Sequence, residues 1–399
     1  MFDILKELTK LAGSTIKPKA EDQIKEMTEV SVDELKEINR ILTEIGKTGG
    51  LTAKQLKELG DVSFATASKY GAKATDYLTE VQKMYDDGYK NAKEMAEFSL
   101  LAQNTGGLDG ELAQDYIQAS DAAYRYSGNV EKLTALLDAQ KQVTDQNAVS
   151  MAELLNATKA SASRLSGIGI GEDEMTALFG TGIAATKESG ETVGHAINGI
   201  LMSLQKIKGE TGLEGGFLDE AALIRAEKRC NSLGIELTGI KDGVTGLRDP
   251  VQILKELAGA YNSLPDGSAR KAGILTDIGG ENAGGVLSGI LSNWSLYEKM
   301  LGDFKNAGGT AMKGAEQSAG SWESSWNRLS NSWTNLVGNI ANSNVFVTLI
   351  HFANSFLEVI NKITSHLKTL PSIGLGLGIF AGIKNVGKTP MKNHPPICP

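Results

Sequence analysis

Four histidines, two cysteines, one glycine triplet and one acidic run are where this 399-residue chain could do chemistry. His195, His351, His366 and His394 have no HExxH spacing, which would put two imidazoles on one helix face to hold zinc. His195 falls within a strongly apolar helical pattern and is expected to be a hydrogen-bonded helix histidine. Cys230 and Cys398 have neither CxxC nor zinc spacing and read as two free thiols of a reducing compartment. Gly167, Gly169 and Gly171 resemble the start of a dinucleotide fingerprint, but Glu174 stands where the third glycine belongs and the segment upstream is helical. Glu172, Asp173 and Glu174 follow at a helix start, where the dipole favours anions, so they need no substrate. Neither GxxxxGK[ST] nor GxSxG occurs. The expectation is therefore of no enzyme, no cofactor and no metal.

The bulk of the chain points to helices. It has eight prolines and abundant Ala, Leu, Lys and Glu. Most of its 46 glycines lie after Gly167. A net charge of −8 argues against a general nucleic-acid binder, which is usually basic. The length predicts roughly two to three domains. The opening MFDILKELTK carries Asp3 and Glu7 and does not read as a signal peptide. No run of ~18 apolar residues appears; Ser372–Ile383 comes nearest but is too short and too glycine-rich to span alone.

In order, a small amphipathic helix (Phe2, Ile4, Leu5, Leu8, Leu11) precedes a linker around Pro18. Ser31 with Glu34, and Thr52 with Gln55, are spaced as capping boxes, the second with Leu51 and Leu56 as a hydrophobic staple. Long helices are expected at about 74–104, 110–126 and 130–165, with narrow apolar stripes. Residues 1–165 then read as an extended amphipathic helical segment. From Gly171, Met175, Leu178, Phe179 and Ile183 mark one helix. After a break at Ser189-Gly190, Val193, Ile197, Ile200, Leu201 and Leu204 mark a broader, core-type face. Alternation around Asp242-Gly243 predicts a short hairpin. Asp249-Pro250 predicts a helix start, with Asp as N-cap and Pro at the first helical position. Trp322, Trp326, Leu329, Trp333 and Leu336 repeat at heptad spacing and are expected to pack on another helix or on a partner. The expected fold class is mainly α: elongated N-terminal helices, then a compact helical module with one short β-hairpin, and a C-terminal helical hairpin. The domains are 1–165, a compact module at 166–343, and an amphipathic helix with a Gly/Lys-rich tail at 344–399. Gly167, Gly169 and Gly171 are expected to hinge the first two.

The run GIGIGEDEMTALFGTGIAATKESGETVGHAINGILMSLQKIKGE resembles the conserved domain of phage tail tape measure proteins of the TP901 type, a tail-length and minor tail protein family. KRCNSLGIEL, LRDPVQILKELA, LSNWSLYEKML and SAGSWESSWNRLSNSW follow in the family's order, and the resemblance covers about residues 60 to 370. The chain departs from the family pattern at Glu281-Asn282-Ala283, where basic residues are usual. It also stops at Pro399, where relatives run on, so a split or shortened member is expected. The resemblance implies a structural protein that sets tail length inside the tail tube and is released at DNA ejection. Its implied partners are the tail tube protein, tail assembly chaperones, distal tail and baseplate proteins and further copies of itself, with no specific nucleic acid. It would lie in the virion tail lumen, and in host cytoplasm during assembly. The alternative is a membrane-active helical protein that assists genome delivery at the host membrane. It draws on a C-terminal end with no acidic residue after Glu358 and with Lys362, Lys368, Lys384, Lys388 and Lys392.

Overall fold

The computed structural model describes residues 18–206, 220–241, 244–309, 321, 324, 327, 328, 330–332, 334, 335 and 338. The fold is mainly α. One compact unit comprises Met27–Gly338. A second comprises Met1–Glu26 with Asn339–Pro399, of which only helical residues 18–26 are described.

The first helix, α1, runs unbroken from Pro18 to Thr48. Proline is tolerated there because the first helical N–H has no partner to lose. The capping box expected at Ser31 and Glu34 is not formed, because Ser31 lies inside α1; both side chains instead meet Thr334. The second box is real. Thr52 N–H donates to Gln55 Oε1 (2.9 Å) and Gln55 N–H donates to Thr52 Oγ1 (3.3 Å), opening α2, Ala53–Lys69. The single helix expected at 74–104 is two, α3 (Ala74–Asp86) and α4 (Ala92–Gly106). Tyr89 N–H donates to Met84 O (2.9 Å) across a left-handed Gly88, the bond that closes a helix C-terminus. α5 spans Gly110–Tyr124. The expected 130–165 helix also divides, into α6 (Val130–Gln146) and α7 (Met151–Gly167), because Ser150 caps α7 by accepting from Glu153 N–H.

The described part of the expected N-terminal arm is not elongated. One apolar cluster runs from Ile38 to Leu155 and includes Tyr77, Leu78, Met95, Phe98, Tyr116 and Ile117. α3 packs on α2 and α4, and α4 on α5 and α6. The stripes looked narrow because Ala and Ser interrupt them. In α4, however, Ala92, Ala96, Ser99 and Ala102 are buried beside Met95, Phe98, Leu100 and Leu101, so the apolar face is broad.

The second cluster centres on α8, Glu172–Thr186, which is buried at every position from Met175 to Ile183. A helix apolar all round belongs inside other helices. α9 (Gly190–Lys206), α13 (Gly280–Ser292) and α14 (Trp294–Lys305) pack around it, with α6 and α7 closing the remaining sides. α9 also lies along α7. Glu153 caps its start by accepting from Gly190 N–H, and Gly194 passes Ala157 and Ala160 with no room for a side chain. Beyond α9 come α10 (Glu220–Ser232), β1 (Thr238–Lys241), β2 (Val244–Leu247) and α11 (Pro250–Ser263). The strands are antiparallel, with Thr238 opposite Leu247 and Lys241 opposite Val244, the expected hairpin. Asp249 caps α11, accepting from Val251 N–H at 2.8 Å. α12 (Ala269–Ile274) runs into a π-helical turn, Leu275–Gly279. Asp277 in that turn takes Arg229 of α10 (Nε donating at 2.9 Å).

The two clusters are joined by polar atoms as well as apolar ones. Tyr116 Oη donates to Gln140 Oε1 (2.9 Å), and Gln140 Nε2 donates to Thr176 Oγ1 (3.3 Å), threading α5, α6 and α8. All three residues are buried. Paired in this way they escape most of the desolvation penalty of buried polar groups.

Candidate functional site

Among the described residues the chemistry-bearing side chains do not converge. His195 is exposed on α9, with Nε2 3.9 Å from Glu191 Oε1, beyond hydrogen-bond distance. It is not the hydrogen-bonded histidine of an apolar face. Cys230 is buried at 0 % exposure, and burial pushes its thiol up to about 12. Among the described residues no group of three or more His, Cys, Asp or Glu could hold a metal ion.

The glycine triplet forms a helix–helix turn. Gly167 ends α7, Gly169 has φ of +88°, and Gly171 precedes α8 in an extended conformation. Ile170 N–H reaches back to Leu165 O (3.2 Å), and both side chains are buried in the same core. The turn therefore joins two helices of one packed body. The acidic run follows at the start of α8. Asp173 Oδ1 accepts Glu174 N–H (2.9 Å), and Asp173 Oδ2 lies 3.3 Å from Lys305 Nζ. Burial, then the charges of Asp249 and Asp173, raise the Glu174 carboxyl above its usual range. A pocket of about 510 Å³ opens beside this run, lined by Asp138, Glu172, Asp173, Phe304 and Lys305 among others. Asp138 already accepts Gly309 N–H (3.0 Å), beyond the end of α14, and Asp173 is paired with Lys305, so these groups tie α14 to α8 and the segment after it to α6.

Val193, Ile197, Ile200, Leu201 and Leu204 are all buried, on the face that α9 turns to the core. Trp322, Trp326, Leu329, Trp333 and Leu336 lie outside the described residues. So do residues 344–399, with the cationic tail. Among the described residues no helix is long and apolar enough to cross a membrane.

A different set of residues in the tryptophan-bearing segment makes the most elaborate polar site. Ser324, Asn327, Asn331, Thr334 and Gly338 are helical and step by three and four. They face the turn between α2 and α3 and the side of α1. Asn331 Oδ1 accepts Ala74 N–H (3.0 Å), while Asn331 Nδ2 donates to Ala72 O (2.8 Å) and to Ser68 Oγ (3.0 Å). Asn327 Nδ2 donates to Gly71 O (2.8 Å), and Arg328 Nε to Ser68 O (3.0 Å). Thr334 Oγ1 donates to Glu34 Oε2 (2.9 Å) and lies 3.1 Å from Ser31 Oγ. A pocket of about 470 Å³ lies at one end, between Tyr70, Gln103, Asn104 and Ser324. The sequence carried a signal for this site, a polar stripe at the same three–four spacing as the tryptophans.

The hydroxyl–carboxylate pair in this site, Thr334 with Glu34, joins the helix to α1. What the site offers is helix packing and helix capping over long sequence distances. A family model described as phage-related minor tail protein matches residues 67–280, more than half of the chain. That span runs from the end of α2, through the turn that receives Asn331, to the π-helical turn. No solved structure matches the chain.

Proposed function

The chain belongs to the phage-related minor tail protein family and is thus a structural component of a phage tail; from that premise we propose that it acts as a tape measure. In this reading it lies in the lumen of the tail tube, sets tail length during assembly in the host cytoplasm, and leaves when DNA is ejected. It makes and breaks no covalent bond. Its contacts are helix faces, offered to tube subunits, assembly chaperones, distal tail or baseplate proteins and further copies of itself.

The observation that carries the reading is the family match across the helical body, residues 67–280. The packed form adds a condition. In a packed bundle an extra residue adds volume rather than length, whereas an opened helix gains ~1.5 Å per residue. The ruler form is therefore the opened chain, and the packed body is the form held outside the tube. In-frame deletions within 74–165, made in the phage, test this. Tails measured by electron microscopy are expected to shorten by ~1.5 Å per deleted residue. Tails of unchanged length would overturn the ruler reading.

A further inference from the structure

We draw no further inference here: the strongest candidate, the pocket beside the start of α8 lined by Asp138, Glu172, Asp173, Phe304 and Lys305, is an acidic cluster in which Asp173 already pairs with Lys305 and Asp138 already accepts Gly309 N–H, and nothing in the structure shows what covers it.

Discussion

Gly194 on α9 lies so close to Ala157 on α7 that a Cβ on the glycine would stand 2.6 Å from the Ala157 carbonyl oxygen. Four residues earlier, Gly190 meets the Glu153 carbonyl oxygen more closely still. The obstructing atoms are backbone, so neither helix can yield by changing a rotamer. Gly194→Ala is expected to cost ~1–3 kcal/mol, the usual range for overpacking. Gly259→Ala, in a helix where the glycine has open space around it, should instead stabilise by ~0.5–1 kcal/mol. Urea unfolding of the two variants checks both signs; a neutral Gly194→Ala would mean that the helices are not held this closely.

The Tyr116–Gln140–Thr176 thread gives a second outcome. Gln140→Leu keeps most of the volume but strands the Tyr116 hydroxyl in the core, and is expected to cost ~1–3 kcal/mol. Adding Tyr116→Phe removes the stranded hydroxyl and should recover part of that loss. A double-mutant cycle with strictly additive losses would show that the two side chains do not interact.

Glu34 makes stability depend on pH. Burial raises its carboxyl above the usual range, opposed by the Thr334 hydrogen bond and Lys73, and reinforced by Asp76. A raised folded-state value means that the folded chain holds the proton more tightly than the unfolded one. Its contribution is then complete below the ordinary carboxylate range and is lost as pH rises through the folded value. Glu34→Gln should therefore raise the urea midpoint near neutral pH and flatten its pH dependence just above the ordinary carboxylate range. A variant that is less stable at neutral pH would show that the ionised carboxylate is the favoured form.

Within the glycine triplet only one position needs glycine for its backbone. Gly169→Ala forces a side chain into the left-handed region and is expected to cost ~1–2 kcal/mol. Gly167, helical and with nothing near its missing Cβ, should accept alanine without loss. Tail assembly and infectivity of the triple alanine variant, scored beside its stability, separate a hinge from a turn: normal infectivity would sink the hinge.

Cys230 should be unreactive in the folded chain. With its thiol pushed up to about 12, little thiolate is present near pH 8. In a Cys398→Ser background, iodoacetamide is expected to label Cys230 only after denaturation. Rapid labelling of the folded chain would mean that α10 opens readily.

Local signals were legible where one short segment decides its own structure. Thr52 with Gln55, Asp249 with Pro250, and the alternation around Asp242-Gly243 each form what their spacing predicts. Ser31 with Glu34 has the same spacing as Thr52 with Gln55, yet α1 runs through it and both side chains meet Thr334, some 300 residues away. The breaks at Gly88 and Ser150 were hidden by apolar periodicity that continues across them. The compactness of the N-terminal half is hidden in the sequence because stripes rich in Ala and Ser read as narrow faces that bury little area, although the core buries these residues with their larger neighbours. At the polar site, the three–four spacing of Ser324, Asn327, Asn331 and Thr334 was present, but its meaning required the α2–α3 turn, which no local pattern places beside it.

The capping of α3 by Asn331 also sets a timetable. Ala74 leaves the ribosome 257 residues before the side chain that will accept its N–H. At ~5–20 residues per second, that interval is roughly 13–50 s. During it, α3 must form with water at its first N–H, and the apolar faces of α2 to α9 must find one another without the final clasp. The nascent chain thus has time to settle its core before the helix that bears Asn331 arrives, and a binding protein present at synthesis would meet the α2–α3 turn with the carbonyls of Gly71 and Ala72 still bare.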